Sequence, residues 1–146
     1  MVISNDQVRY MQLFRSLMGV TVLDVVSDEE ENRLIFVVGE GELGRAVGRG
    51  GRKLRAMKNL LWRDLRKDIE VVEYSSDPVR FICNLLSPAR VVSVRISDGR
   101  EGRVALVKVL EEDVSVAIGR NGRRIKRARL LAKRWFDIDN VKISTT

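Results

Sequence analysis

The chain repeats itself. Sliding the sequence by 71 positions pairs residues 34–65 with residues 105–136 without a gap. Nine of those 32 pairs are identical: Val38/Val109, Glu40/Glu111, Ala46/Ala117, Gly48/Gly119, Arg49/Arg120, Gly51/Gly122, Arg52/Arg123, Leu60/Leu131 and Arg63/Arg134. Other pairs exchange one apolar residue for another, such as Val47/Ile118 and Leu54/Ile125. A unit of this length is too long for a solenoid repeat and suits a small domain. The 146 residues are therefore expected to form two consecutive domains, 1–75 and 76–146, with a hydrophobic share of 45% sufficient for packed cores.

Periodicity assigns the elements within each unit. Residues 5–18 carry Val8, Met11, Leu13, Phe14, Leu17 and Met18 at helical spacing, with Ser4 or Asn5 as N-cap. Two β-rich runs around the acidic turn Asp28-Glu29-Glu30-Glu31 read as a hairpin. A short helix over residues 41–47, a glycine turn, a helix over 52–66 and a strand over 69–74 complete the unit. Asp77 before Pro78 marks the start of the next helix, 79–86, closed by Ser87-Pro88. A second hairpin turning at residues 97–102, a short helix, a second glycine turn, a helix over 123–135 and a strand over 140–144 repeat the order. The predicted fold class is α+β, two consecutive αββααβ domains, each a small three-stranded sheet packed on helices.

Charge is concentrated on the repeat. Of 27 Lys and Arg, 17 fall in residues 45–67 and 116–136, where Asp64 is the only acid. Segregation of this kind makes a basic face, and a face of that sign implies a polyanionic partner. At its centre stand Val47-Gly48-Arg49-Gly50-Gly51-Arg52-Lys53-Leu54 and Ile118-Gly119-Arg120-Asn121-Gly122-Arg123-Arg124-Ile125. Glycine admits positive φ and leaves backbone N–H groups unscreened. A helix beginning just after the turn aims its unpaired N–H groups and partial positive charge at the same spot. That combination suits phosphate. A lone glycine turn of this type is more often just a helix–helix connection, but two in one register, each loaded with arginine, favour an anion site.

Other chemistry finds little support. With no histidine and Cys83 as the single cysteine, intrachain disulfides, Ser-His or Cys-His nucleophile systems and nitrogen-and-thiolate zinc sites are excluded within one chain. Gly39-Glu40-Gly41-Glu42-Leu43-Gly44 matches a dinucleotide-loop pattern, but its two glutamates would repel a pyrophosphate and the second unit lacks the glycines. No run of about eighteen apolar residues occurs, and the first residues lack the plan of a signal peptide. No cofactor, metal or membrane partner is expected, and the chain is expected to be cytoplasmic. Trp62 and Trp135 lie two to three turns from the glycine loops and are expected to pack rather than stack on bases. Cys83 is expected to be a small buried side chain.

The two glycine motifs resemble the I-G-x-x-G-x-x-I signature of KH domains, and αββααβ is the order of the bacterial-type (type II) KH fold. The pairing, the connector over residues 77–91 and the run Arg134-Trp135-Phe136-Asp137-Ile138-Asp139 resemble the tandem KH domains of the NusA family, with a length similar to archaeal NusA-like members. The resemblance implies single-stranded RNA clamped at the loops, with bases in a groove between the following helix and a strand. The implied RNA contacts are Val47, Gly48, Arg49, Gly50, Gly51, Arg52, Lys53 and Arg55, and Ile118, Gly119, Arg120, Asn121, Gly122, Arg123, Arg124 and Lys126. Val47, Leu54, Ile118 and Ile125 would line or support the groove, or simply pack in the core.

The function implied is non-enzymatic, in transcription termination or antitermination. The resemblance also implies RNA polymerase or other transcription factors as further partners, and the chain is expected to be a monomer. Bacterial NusA also carries an N-terminal polymerase-binding domain, an S1 domain and acidic C-terminal repeats, for which this length is expected to leave no room, so polymerase binding in the bacterial manner is not expected to carry over. Ribosome assembly, RNA chaperoning and a protein-interaction adaptor remain alternatives.

Overall fold

The computed structural model describes residues 5–146, so the proposed Ser4 cap lies outside the described residues. The chain divides into two compact units, Met1–Tyr74 and Ser75–Thr146.

The first unit runs α1 (Asn5–Met18), β1 (Val22–Asp28), β2 (Arg33–Val38), α2 (Leu43–Val47), a 3₁₀ turn (Arg49–Gly51), α3 (Arg52–Leu65) and β3 (Asp68–Glu73). The sheet order is β1-β2-β3, with β2 antiparallel to β1 and parallel to β3. The short acidic turn suffices for the antiparallel pair, whereas the parallel partner requires the helical crossover through α2 and α3. β2, at the centre, is buried at every position. Phe14 from α1 stacks on Phe36 from β2 with ring centroids 4.3 Å apart. Met57 and Leu61 bring α3 onto the same core, with Leu54 and Leu65 at its edge.

The second unit repeats this with α4 (Pro78–Leu86), β4 (Val91–Gly99), β5 (Gly102–Val109), α5 (Val114–Ile118), a 3₁₀ turn (Arg120–Gly122), α6 (Arg123–Phe136) and β6 (Asn140–Thr145). Its sheet is ordered β4-β5-β6 with the same pairing senses. Both hairpins carry a bulge at the corresponding place, between Val22 and Asp24 and between Val91 and Ser93. Asp77 caps α4 by accepting from the Val79 N–H at 3.0 Å, and Pro78 occupies the first turn where its missing N–H costs nothing.

Three details differ from the sequence reading. The second hairpin turn is tighter than residues 97–102, because Gly99 pairs with Gly102 and only Arg100 and Glu101 make the bend. The duplication also shifts by one residue after the long helices. Arg66 and Asp137 terminate α3 and α6 in the left-handed conformation at the 71-residue offset, yet β3 begins at Asp68 and β6 at Asn140. Finally, Cys83 is half-buried rather than fully buried; burial, with Asp77 nearby, pushes its thiol up from its ordinary range.

Candidate nucleic-acid interface

The two glycine turns are the same backbone structure. Gly48 and Gly119 lie at φ/ψ of 75°/176° and 79°/169°, a region open essentially to glycine alone. Gly50 and Asn121 follow at 62°/16° and 56°/26°, and Gly51 and Gly122 at 71°/16° and 75°/14°. Asn is among the few non-glycine residues that take the left-handed region readily. That explains why the second loop can hold a side chain where the first has Gly50.

Each turn closes on itself. The Gly51 N–H donates to the Gly48 carbonyl at 3.2 Å, and the Gly122 N–H to the Gly119 carbonyl at 3.1 Å. The Arg52 and Arg123 N–H groups donate back to the carbonyls of Arg49 and Arg120. Among the described residues the N–H groups of Arg49, Gly50, Arg120 and Asn121 have no backbone acceptor. Two unspent N–H groups thus precede a fourteen-residue helix in each unit. Chemically, each loop can hold one phosphate on its backbone with arginine side chains around it.

The side chains are less alike than the backbones. Arg49, Arg52, Lys53 and Arg55 are exposed and, among the described residues, make no ion pair. The Arg55 guanidinium folds back toward the loop, with Nη1 3.9 Å from where a Cβ on Gly51 would stand. In the second unit Arg120 is equally free, but Arg123 and Lys126 have interactions of their own. Arg124 donates from Nη1 to the Val116 carbonyl in α5, and its Nε is buried with no hydrogen-bond partner among the described residues. Arg124 thus satisfies one of the carbonyls left open at the end of a short helix, a role that spacing alone does not reveal.

Of the four apolar groove candidates, Ile125 is 6% exposed and packs in the core, whereas Ile118 is 39% exposed; Val47 and Leu54 are half-buried. The apolar walls therefore also differ between the two loops. Trp135 is half-buried, but Trp62, expected to pack, stands 48% exposed on α3.

Comparison with known proteins decides the family. The family model for the NusA-like second KH domain matches residues 78–146, and a KH domain model matches residues 9–97. The probable transcription termination protein NusA of Halobacterium salinarum is 34% identical over 142 residues, spanning 97% of either chain. The chain belongs to the NusA-like KH family. The Halococcus morrhuae protein of the same name is also 34% identical over 97% of both chains. The crystal structure of APE1850 is similar to the whole fold, with a TM-score of 0.84, 43% identity, and coverage of 97% of this chain and all of that one.

Both glycine loops fall inside the KH matches: the first within the general KH model, the second within the NusA-like model. Among the described residues no helix is long and apolar enough to cross a membrane, and no group of three or more His, Cys, Asp or Glu could hold a metal ion.

Proposed function

We propose that the chain binds single-stranded RNA at the turns around Gly48–Gly51 and Gly119–Gly122 and acts, without catalysis, in transcription termination or antitermination. The observation that carries this reading is the paired loop geometry: two superposable turns, each with two unspent N–H groups at a helix start and an unpaired arginine beside them. KH loops of this form clamp the backbone of about four nucleotides, with bases in the adjoining groove. The archaeal relatives, named as probable transcription termination proteins, support the transcriptional role over ribosome assembly or an adaptor. RNA polymerase or another transcription factor is the protein partner this role calls for, with the chain itself a cytoplasmic monomer.

The unequal side chains rank the two loops. Four free cations surround the first, whereas the second offers Arg120 freely and uses Arg124 within its own fold, so the first loop supplies the larger share of affinity. A filter-binding titration comparing single-stranded RNA with a duplex of the same sequence tests the reading. Preference for the single strand is expected; equal affinity would reduce the loops to a non-specific basic surface.

A further inference from the structure

The helix that follows the first loop carries an aromatic side chain, Trp62, that the fold leaves about half exposed. Arg55, Lys58 and Trp62 lie at i, i+3 and i+7 on α3 and so share one face. Arg55 folds toward the loop at the head of this face. Lys58 is half-exposed and makes no ion pair among the described residues, and Trp62 stands roughly 10 Å along the axis from Arg55. A single exposed apolar side chain is ordinary on a protein surface. What sets Trp62 apart is its position at the end of a row of free cations that starts at a phosphate-binding turn.

The second unit provides an internal control. Its residues in the same register are Lys126, Arg129 and Lys133. Arg129 Nε donates to the Val141 carbonyl at 3.1 Å. Lys133 Nζ bridges Asp137 at 2.8 Å and Asp139 at 2.7 Å. There the row is tied into β6 and the α6–β6 connection, and no aromatic ends it. The same helix face is spent on the fold in one unit and left open in the other.

We propose that Trp62 is a base-stacking platform at the far end of a strand path that leaves the first glycine loop and runs along α3 past Arg55 and Lys58. An indole face accepts any base, and flanking cations hold the backbone without reading sequence. The inference rests on the RNA reading of the loop and extends its footprint beyond the nucleotides clamped there.

The test uses the full chain with two RNAs, a four-nucleotide strand confined to the loop and a ten-nucleotide strand long enough to reach Trp62. Trp62→Ala is expected to weaken the longer RNA about tenfold, to leave the shorter unchanged, and to be largely rescued by Trp62→Phe. In a Trp135→Phe background the remaining tryptophan emission should be quenched as the longer RNA saturates the protein. Native affinity for the longer RNA with Trp62→Ala, together with unaltered emission, would overturn the proposal and leave the indole for a protein partner. Arg49→Asp with Gly50→Asp, measured alongside, separates the two claims. Loss of binding in that variant with a silent Trp62→Ala sinks the platform alone, whereas full binding in both sinks the loop reading beneath it.

Discussion

Gly48 and Gly119 share their backbone angles but not their neighbours. A Cβ on Gly119 would stand 2.8 Å from the Arg124 backbone nitrogen, which cannot retreat without disturbing the first turn of α6. At Gly48 the nearest atom is Lys53 Cγ at 3.2 Å, part of a flexible side chain that can move. Both substitutions carry the backbone penalty of about 1–3 kcal/mol for leaving a glycine-only region. Gly119→Ala adds a collision, so it is expected to cost at least 1 kcal/mol more than Gly48→Ala in denaturant unfolding. Equal costs would mean that the Arg124 contact relaxes freely. Gly50, at φ 62°, has open space around it, so a side chain there meets no neighbour and carries only the left-handed backbone cost, which Asn and Asp bear better than other residues.

Two interactions hold the elements around the loops, and each has a testable signature. Arg33, 1% exposed at the start of β2, joins Asp28 at 2.9 Å and Glu70 at 3.2 Å, linking all three strands of the first sheet. Arg33→Ala is expected to cost about 3 kcal/mol, the lower end for a broken buried pair because both carboxylates keep some solvent. Arg33→Met should cost nearly as much, since it restores volume but no charge. Near-native stability of the Met variant would mean that Arg33 acts by packing alone.

In the second unit Asp113, just before α5, accepts from Arg90 Nε and the Arg90 N–H, both at 2.8 Å. The Arg90 side chain, then its backbone N–H, hold this carboxyl at about 2, below its ordinary 3.8. A depressed carboxyl stabilises the fold above its ordinary value, and that stability drains as pH falls from about 4 toward 2. Asp113→Asn should therefore lower the melting temperature at pH 7 and narrow its gap to the native protein by pH 2. A gap independent of pH would assign the effect to packing.

Much of this element layer was legible in the sequence, because apolar period, caps and glycine turns are local signals. The αββααβ order and both loops follow from them. What escaped has a common cause. Whether Arg124 reaches solvent or an orphan carbonyl, and whether Trp62 is covered, depends on what the third dimension sets beside each helix face. Distance along α3 from the glycine loop points Trp62 toward packing, but distance alone does not say whether a neighbour covers that face of the helix. The residue that offsets β6 from the repeat, in the Asp137–Asp139 stretch, escaped because the gapless alignment ends at the helix caps.

Across the whole molecule the basic residues do not form a uniform coat: 17 of 27 lie in two segments that each contain a loop and its helix. If the loops are unequal as their side chains indicate, Arg49→Asp with Gly50→Asp should weaken RNA binding more than Arg120→Asp with Asn121→Asp. Fluorescence anisotropy on the two variants checks this, and the reverse order would contradict the ranking.

The most direct measurement combines all four substitutions and compares the variant with the native chain in titrations of single-stranded RNA at several salt concentrations, with folding verified by circular dichroism. Neutralising about four phosphates gives the native protein a slope of roughly −3 in log K against log salt. The folded quadruple variant is expected to lose most of its affinity and most of that slope. Binding and slope that survive unchanged would show that the helices act as a diffuse charged surface and that the glycine loops are only turns.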